Sequence, residues 1–242
     1  MIVSVLAVGV ATLRAVRRLP ALVVVLLALV AGGCGSDDES SDDASSAPAT
    51  GTAASPGPGG CEQVELPAAK PDGGQTKPSE RLDPAKTYEV EVETNCGAFT
   101  IRLDQKTSPA TAASFAALAR KGFFDNTVFH RIVPGFVIQG GDPTGTGTGG
   151  PGYSTVDPPP ATARYTKGVV AMAKSPQEAP GTSGSQFYVV TAQQAPLEPD
   201  YALLGTVTSG LDIVETIGGL GDPATEQPTQ VVVIEKTTVR ER

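Results

Sequence analysis

Hydrophobic and polar side chains alternate along two neighbouring segments of the chain, which indicates a β-hairpin. Residues 88–94 have the sequence Tyr-Glu-Val-Glu-Val-Glu-Thr, and residues 98–103 have the sequence Ala-Phe-Thr-Ile-Arg-Leu. Alternation with a period of two is typical of a strand with one buried face. Asn95-Cys96-Gly97 has the composition of a turn, so the second strand is predicted to fold back on the first.

The pattern then changes to that of a helix. Ser108 is a typical capping residue, and Pro109 suits the first helical position. Gly122 is a typical residue for the end of this helix. Between them, the apolar residues that form one stripe are Ala112, Phe115, Ala116, Leu118 and Ala119.

Short apolar segments follow, separated by loops rich in glycine and proline. They predict strands near 127–133, 136–140, 168–173, 186–191 and 202–207, a short helix near 210–218, and a last strand over 230–239. No segment repeats with a period of about 20–50 residues. About eight strands with one or two helices predict a mainly β fold, namely a closed barrel capped by helices.

The first 33 residues have the pattern of a secretory signal peptide. Arg14, Arg17 and Arg18 precede an apolar run, which is followed by small residues and Cys34. Ala31-Gly32-Gly33-Cys34 resembles the bacterial lipobox, in which the cysteine is lipidated after cleavage. Ordinary secretion, with Cys34 removed or left free, is the alternative. A start codon nearer Val16 would explain the apolar residues that precede the arginines.

The remaining chain divides into a tether, an extension and a domain. Residues 34–60 hold five acidic residues, no Lys or Arg, and many Ser, Ala, Gly and Pro, so they predict a disordered tether between membrane and domain. Residues 61–87 predict an irregular N-terminal extension, and residues 88–242 predict the folded domain. We therefore expect an exported protein, anchored by lipid to the cell membrane and facing outside the cytoplasm.

Composition excludes two classes of function. The chain of 242 residues has 18 Lys and Arg against 26 Asp and Glu, a net charge of −8, which argues against nucleic acid as a partner. A single histidine, His130, excludes a multi-histidine metal site. With Cys34 set aside, Cys61 and Cys96 remain as an even pair, for which an exported protein favours a disulfide over two free buried thiols.

One glycine-rich motif, over 145–150, matches G-x-G-x-x-G. A dinucleotide site also needs a helix to begin there, and the Pro151-Gly152 and Pro158-Pro159-Pro160 that follow forbid one. This segment is predicted to be a close-packed loop beside a binding groove.

Residues 129–142 carry the candidate chemistry. Strand alternation places Arg131 and Val133 on one face, and Gln139 follows Phe136 by three residues. A cation and an amide beside an aromatic ring can bind a peptide carbonyl next to an apolar group. The alternative is a strand pair with a solvated arginine. His130 is expected on the opposite face from Arg131, in a structural role.

Four motifs in one order resemble the cyclophilin family of peptidyl-prolyl isomerases. They are Phe-His-Arg-Ile-Val-Pro-Gly-Phe-Val-Ile-Gln-Gly-Gly-Asp at 129–142, Gly-Val-Val-Ala-Met-Ala at 168–173, Gly-Ser-Gln-Phe-Tyr at 184–188 and Leu-Leu-Gly-Thr-Val at 203–207. The resemblance covers about 88–239. It implies an eight-stranded antiparallel barrel capped by two helices, and acceleration of X-Pro bond rotation in exported proteins.

The resemblance also assigns residues. Arg131 matches the catalytic arginine, and the matched substrate-binding positions are Phe136, Val137, Gln139, Ala173, Lys174, Gln186, Tyr188, Leu197 and Tyr201. Several of these differ from the usual family residue: Val137 stands for Met, Lys174 for Asn, Tyr188 for Phe and Tyr201 for His. Pro196 replaces the tryptophan of cyclosporin-sensitive members, so these departures concern drug binding more than catalysis.

The implied reaction needs no metal or cofactor. The implied partners are proline-containing polypeptides, and we expect a monomer. Two other functions remain open: a non-catalytic chaperone of the cell envelope that binds proline peptides in the same groove, and a purely structural envelope domain.

Overall fold

The computed structural model describes residues 60–242. The predicted signal peptide, Cys34 and the predicted tether up to residue 59 lie outside the described residues. Within the described part of the chain, neither helix is long and apolar enough to cross a membrane.

The described chain forms eleven strands and two helices, most of them where the hydrophobic pattern predicts them. In chain order they are β1 (Tyr88–Thr94), β2 (Gly97–Leu103), α1 (Pro109–Arg120), β3 (Thr127–Val128), β4 (Arg131–Val133), β5 (Val137–Gly140), β6 (Thr155–Val156), β7 (Val169–Met172), β8 (Thr182–Ser183), β9 (Phe187–Val190), β10 (Leu203–Ser209), α2 (Leu211–Gly218) and β11 (Val233–Glu241). The two-residue strands β6 and β8, which the pattern did not predict, pair as a separate small sheet.

The predicted hairpin is confirmed. β1 and β2 pair antiparallel, with Val90 opposite Ile101 and Val92 opposite Phe99. These four side chains are buried, while the glutamates of β1 point to the other face. The alternation in the sequence therefore corresponds to one face on the core and one towards solvent.

The prediction of a closed eight-stranded barrel is wrong. Nine strands form one sheet in the order β3-β11-β1-β2-β10-β7-β9-β5-β4, a curled half-barrel with β3 and β4 at its two ends. The cause is that the single strand predicted over 127–133 is divided at Phe129 and His130. Its first part pairs with β11, whereas its second part pairs with β5.

The helix α1 begins at Pro109 as predicted, but Ser108 does not cap it through its side chain. Ser108 occupies the N-cap position without a side-chain capping bond. Instead, the backbone N–H of Thr111 in the first turn donates to Asp157 Oδ2 at 2.7 Å. A carboxylate from a distant loop thus satisfies a free N–H of this turn and lies favourably at the positive end of the helix.

A cluster of phenylalanine rings fills the space between α1 and the sheet. Phe115 of α1 lies 4.6 Å from Phe124 and 5.3 Å from Phe187 of β9, measured between ring centroids. Phe129 lies 6.0 Å from Phe187 and 6.4 Å from Phe99 of β2. All five rings are buried, so the core joins the helix to both halves of the curled sheet.

The N-terminal extension contains none of the helices or strands named above, yet it is bonded to the domain. Cys61 and Cys96 form a disulfide that ties its start to the β1–β2 turn, across 35 residues of chain. A loop of that size corresponds to about 3–4 kcal/mol of chain-entropy stabilisation. The side chain of Asn95 in the same turn donates to the carbonyl of Glu62 at 2.7 Å.

Residues 70–77, here called the strap, run along the loop that follows β5. Backbone N–H groups of Lys70, Gly73 and Gln75 donate to the carbonyls of Pro143, Gly150 and Pro151 at 2.8, 2.9 and 3.0 Å. The Lys70 ammonium donates to three further carbonyls, those of Gly122, Phe123 and Asp125, at 3.0, 2.7 and 3.0 Å. Lys70 therefore satisfies carbonyl groups just beyond the end of α1, where a cation is also favoured by the helix dipole.

Replacing Lys70 by methionine is expected to lower the free energy of unfolding by about 1–3 kcal/mol, since it leaves these carbonyls without their charged donor. Lys77→Met is the matched control, because Lys77 makes one exposed bond, to the carbonyl of Ser154 at 2.9 Å. Urea denaturation of both variants measures the difference. Equal stability of the two variants would show that the strap is not anchored through Lys70.

Candidate active site

A cavity of about 220 Å³ opens beside β4, β5 and β9, and nine of the ten predicted site residues line it. They are Arg131, Phe136, Val137, Gln139, Ala173, Lys174, Tyr188, Leu197 and Tyr201. The tenth, Gln186, lines a larger neighbouring groove of about 720 Å³, which shares Gln139, Ala173 and Lys174 with the first. The two spaces together are here called the groove.

Strand register sets the polar floor of the groove. β4 and β5 pair antiparallel, which places Arg131 directly opposite Gln139. Directly opposed residues share a face of the sheet, so the cation and the amide point the same way. Ile132 and Ile138, opposite each other one position on, are fully buried on the other face.

Hydrogen bonds connect the polar side chains along this floor. Arg131 Nη1 donates to Gln139 Oε1 at 3.3 Å, and Gln139 Nε2 donates to Gln186 Oε1 at 3.0 Å. Gln186 Nε2 in turn donates to the carbonyl of Gly149 at 3.0 Å. On its other side, Arg131 Nε donates to Glu226 Oε2 at 2.7 Å. Each amide is thus oriented by its neighbours.

Sequence reasoning missed two residues, one that bonds Arg131 and one that lines the groove. Glu226 is separated from Arg131 by 95 residues, and Asp72 of the strap lines the larger groove. Asp72 Oδ1 accepts a hydrogen bond from the backbone N–H of Gly150 at 2.8 Å. Both lie in loops without hydrophobic periodicity, so no local pattern could have placed them.

Aromatic rings form the apolar wall. Tyr188 lies 5.7 Å from Tyr201 and 6.5 Å from Tyr165, measured between ring centroids. Tyr188 is buried, and this burial raises the pKa of its hydroxyl, which therefore stays protonated. Tyr188 and Tyr201, together with Val137 and the half-buried Phe136, line a space suited to a small apolar group.

The charge of Lys174 is neutralised within the wall. Its side chain is only 2% exposed, and Nζ lies 2.6 Å from Asp200 Oδ2. Nζ also donates to the carbonyls of Ser175 and Glu178 at 3.2 and 3.0 Å. Arg131 therefore differs from Lys174 in that its side chain is 34% exposed towards the groove.

The glycine-rich motif binds the chain's own carboxylate. Asp142 is fully buried, and its oxygens accept the backbone N–H groups of Thr144, Gly147 and Gly149 at 2.7, 2.6 and 3.2 Å. Burial alone would raise the pKa of Asp142, but these hydrogen bonds outweigh it and lower the pKa. Among the described residues no helix lies between β5 and β6, as the prolines predict. The loop walls the groove, and its Gly147 and Gly149 N–H groups are already bonded to Asp142.

His130 packs behind this loop, away from the groove floor. A Cβ atom at Gly147 would lie 3.6 Å from its ring. Both ring nitrogens are buried and have no hydrogen-bond partner among the described residues. Burial lowers the pKa of His130; Asp142 opposes this shift and Arg131 adds to it. A neutral, structural imidazole is consistent with these surroundings.

Comparison with known proteins relates this chain to one enzyme family. Residues 89–239 match the family model for cyclophilin-type peptidyl-prolyl cis-trans isomerases. A peptidyl-prolyl cis-trans isomerase of Arabidopsis thaliana is 38% identical over 155 residues, which cover 62% of this chain and 93% of the relative. A peptidyl-prolyl cis-trans isomerase-like protein of Neurospora crassa is 38% identical over 158 residues, covering 63% and 95%.

Solved structures give the same relationship. The crystal structure of a cyclophilin-type peptidyl-prolyl cis-trans isomerase of Cryptosporidium parvum superposes with a TM-score of 0.59 at 30% identity, covering 64% of this chain and 98% of that one. The same protein, crystallised in the presence of the dipeptide Ala-Pro, superposes with a TM-score of 0.58 at 30% identity, covering 63% and 98%.

The buried ring nitrogens of His130 predict an acid-sensitive fold. Below about pH 6.5 the unfolded chain binds a proton at His130 while the folded chain resists protonation. The free energy of unfolding should therefore decrease as the pH is lowered, by at most about 1.4 kcal/mol per pH unit. Above the pKa of His130 in the unfolded chain, this histidine should make the free energy of unfolding neither rise nor fall with pH. Urea titrations at about pH 7.5, 6.5 and 5.5 measure this slope. His130→Gln should remove this pH dependence, and an unchanged slope in that variant would show that other titrating groups cause it.

Proposed function

The chain belongs to the cyclophilin-type peptidyl-prolyl cis-trans isomerase family, and we propose that it accelerates X-Pro bond rotation in exported proteins, using the groove around Arg131. The observation that carries this proposal is the pairing of Arg131 with Gln139 beside an apolar cavity of about 220 Å³. The Ala-Pro dipeptide present with the Cryptosporidium relative supports a proline-containing ligand for the cavity.

The reaction is rotation about a partial double bond. The barrier is about 18–20 kcal/mol because rotation breaks amide resonance, so the uncatalysed change takes tens to hundreds of seconds. Rotation needs neither a proton transfer nor a covalent intermediate. A catalyst must hold the proline and favour the twisted amide over the planar one.

The apolar wall supplies the first of these requirements. Phe136, Val137, Tyr188 and Leu197 surround the cavity, so a pyrrolidine ring can fill it and remain fixed while the preceding carbonyl turns. Ala173 and Lys174 line both spaces, so the rest of the peptide would run past them.

Arg131 supplies the second requirement. As the amide twists, its nitrogen regains a lone pair and resonance with the carbonyl is lost. A guanidinium N–H held beside that nitrogen or the carbonyl therefore interacts more strongly in the transition state than in the ground state. Gln139 and Gln186 hold the guanidinium and the groove floor in place through the hydrogen bonds described above.

Export and lipid attachment are part of the proposal. The signal-like segment that ends at Cys34 and the acidic tether support a domain held outside the cytoplasm on a lipid anchor. The Cys61–Cys96 disulfide suits an oxidising compartment. Clients would then be proline-containing chains that fold after export.

Replacing Arg131 by alanine should lower kcat/KM for X-Pro isomerisation by about 10²- to 10³-fold, the range for loss of one preorganised transition-state donor. Arg131→Lys should recover little, since lysine lacks the planar fork. Arg102→Ala is the control, because Arg102 is exposed on β2. A protease-coupled assay with a proline tetrapeptide measures the rates. Near-full activity of Arg131→Ala with an unchanged circular dichroism spectrum would contradict the assignment and favour a peptide binder.

Expression in a bacterium that processes lipoproteins tests the anchor. The full chain should appear in the membrane fraction and incorporate labelled lipid, and Cys34→Ser should do neither. Equal solubility and equal processing of the two forms would show that the protein is secreted without a lipid. Enzymatic activity serves as the control, because Cys34 is remote in sequence from the domain and should not change it.

A further inference from the structure

The turn between α2 and β11 lies directly against the strand that carries Arg131. A Cβ atom at Gly221 would lie 2.3 Å from the carbonyl oxygen of Ile132, so the backbones touch there. Farther along, the backbone N–H of Ile132 donates to the carbonyl of Glu226 at 2.9 Å. This turn is thus fixed to the residue next to Arg131.

The backbone of Glu226 is held in a conformation that glutamate rarely adopts. Its φ is 60°, in the left-handed region, which it shares with Asn126 among the described non-glycine residues. Hydrogen bonds on both sides hold it there: its N–H donates to the carbonyl of Asp222 at 2.8 Å, and the N–H of Asp222 donates to the carbonyl of Gln227 at 2.8 Å. A glycine would be easier at this position, so the presence of a side chain calls for a reason.

That side chain reaches the guanidinium. Oε2 of Glu226 accepts Arg131 Nε at 2.7 Å, while Gln139 Oε1 accepts Arg131 Nη1 at 3.3 Å. The planar guanidinium has five N–H donors in fixed directions, and these two bonds leave the others free for a substrate. Two acceptors on two edges restrict rotation of the guanidinium about its stem.

Orientation outweighs charge neutralisation at this site. The Arg131 and Glu226 side chains are 34% and 46% exposed, so water screens the attraction between their charges. A hydrogen bond to Nε acts on geometry, which screening does not weaken in the same way. Removal of Glu226 should therefore slow the reaction through the lost alignment of Arg131 more than the unpaired positive charge of Arg131 speeds it.

The geometry points to Glu226 as a positioning residue for Arg131, an inference that rests on the proposed isomerase function. The backbone strain at Glu226 is retained because the carboxylate holds the guanidinium in its working orientation. Glu226 itself does not touch the substrate's rotating bond.

Glu226→Ala should lower kcat by about three- to tenfold and change KM by less than about twofold, because alignment acts on the rotation step. Glu226→Gly should lose as much activity while matching or exceeding wild type in thermal stability, since glycine accepts the left-handed backbone. Glu226→Gln, which keeps the acceptor oxygen, should recover most of the activity. Glu215→Ala is the matched control, because Glu215 forms a comparably exposed ion pair, with Lys167 at 2.6 Å.

A double-mutant cycle separates this inference from the proposed function. In an Arg131→Ala background, Glu226→Ala should have no further effect, because the group that it positions is absent. Additive losses, full activity of Glu226→Gly, or a faster Glu226→Ala enzyme would each overturn the positioning role. If Arg131→Ala alone kept full activity, the proposed role of Arg131 would fail instead.

Discussion

The antiparallel register of β4 and β5 is the constraint on which the site depends. Arg131 faces Gln139 across the two strands, and Ile132 faces Ile138 on the opposite side of the sheet. A slip of one residue would turn the guanidinium into the core and expose the isoleucines. Both isoleucines are fully buried, and each contributes about 1.5–3 kcal/mol through burial. Burial of the two isoleucines in the hydrophobic core thus fixes the register that places the Arg131 guanidinium in the groove.

Loops from distant parts of the chain complete what the register begins. Glu226, in the turn before β11, accepts a hydrogen bond from Arg131, and the carbonyl of Gly149 in the glycine-rich loop accepts one from Gln186. That loop is shaped from inside by Asp142, whose carboxylate takes up the N–H groups that glycine-rich motifs elsewhere offer to phosphate. The strap supports it from outside through Gly73. Hydrogen bonds therefore hold the groove floor at both ends, as transition-state stabilisation by a fixed donor requires.

Predictions from the sequence succeeded where the cause is local. The alternation in β1 and β2 and the apolar stripe of α1 depend on neighbouring residues, and both elements form as expected. Pairing between distant segments could not be predicted from such local patterns. The strand over 127–133 divides because its two parts meet different partners, and the first turn of α1 receives Asp157 from a remote loop. The family resemblance named ten candidate residues and nine of them line one cavity, yet Glu226 and Asp72 lie in loops whose positions only the tertiary fold determines.

The proposed chemistry requires a groove that turns substrate over and does not merely hold it. Exchange NMR on an Ala-Pro peptide, with the full chain at about one hundredth of the peptide concentration, measures cis–trans interconversion directly. Uncatalysed exchange takes tens of seconds or more, so it gives no cross-peaks between the isomers within a mixing time of about one second. Strong cross-peaks at this low ratio are the predicted result. Shifts of the peptide resonances at higher protein concentration, without faster exchange at any ratio, would contradict catalysis in the groove.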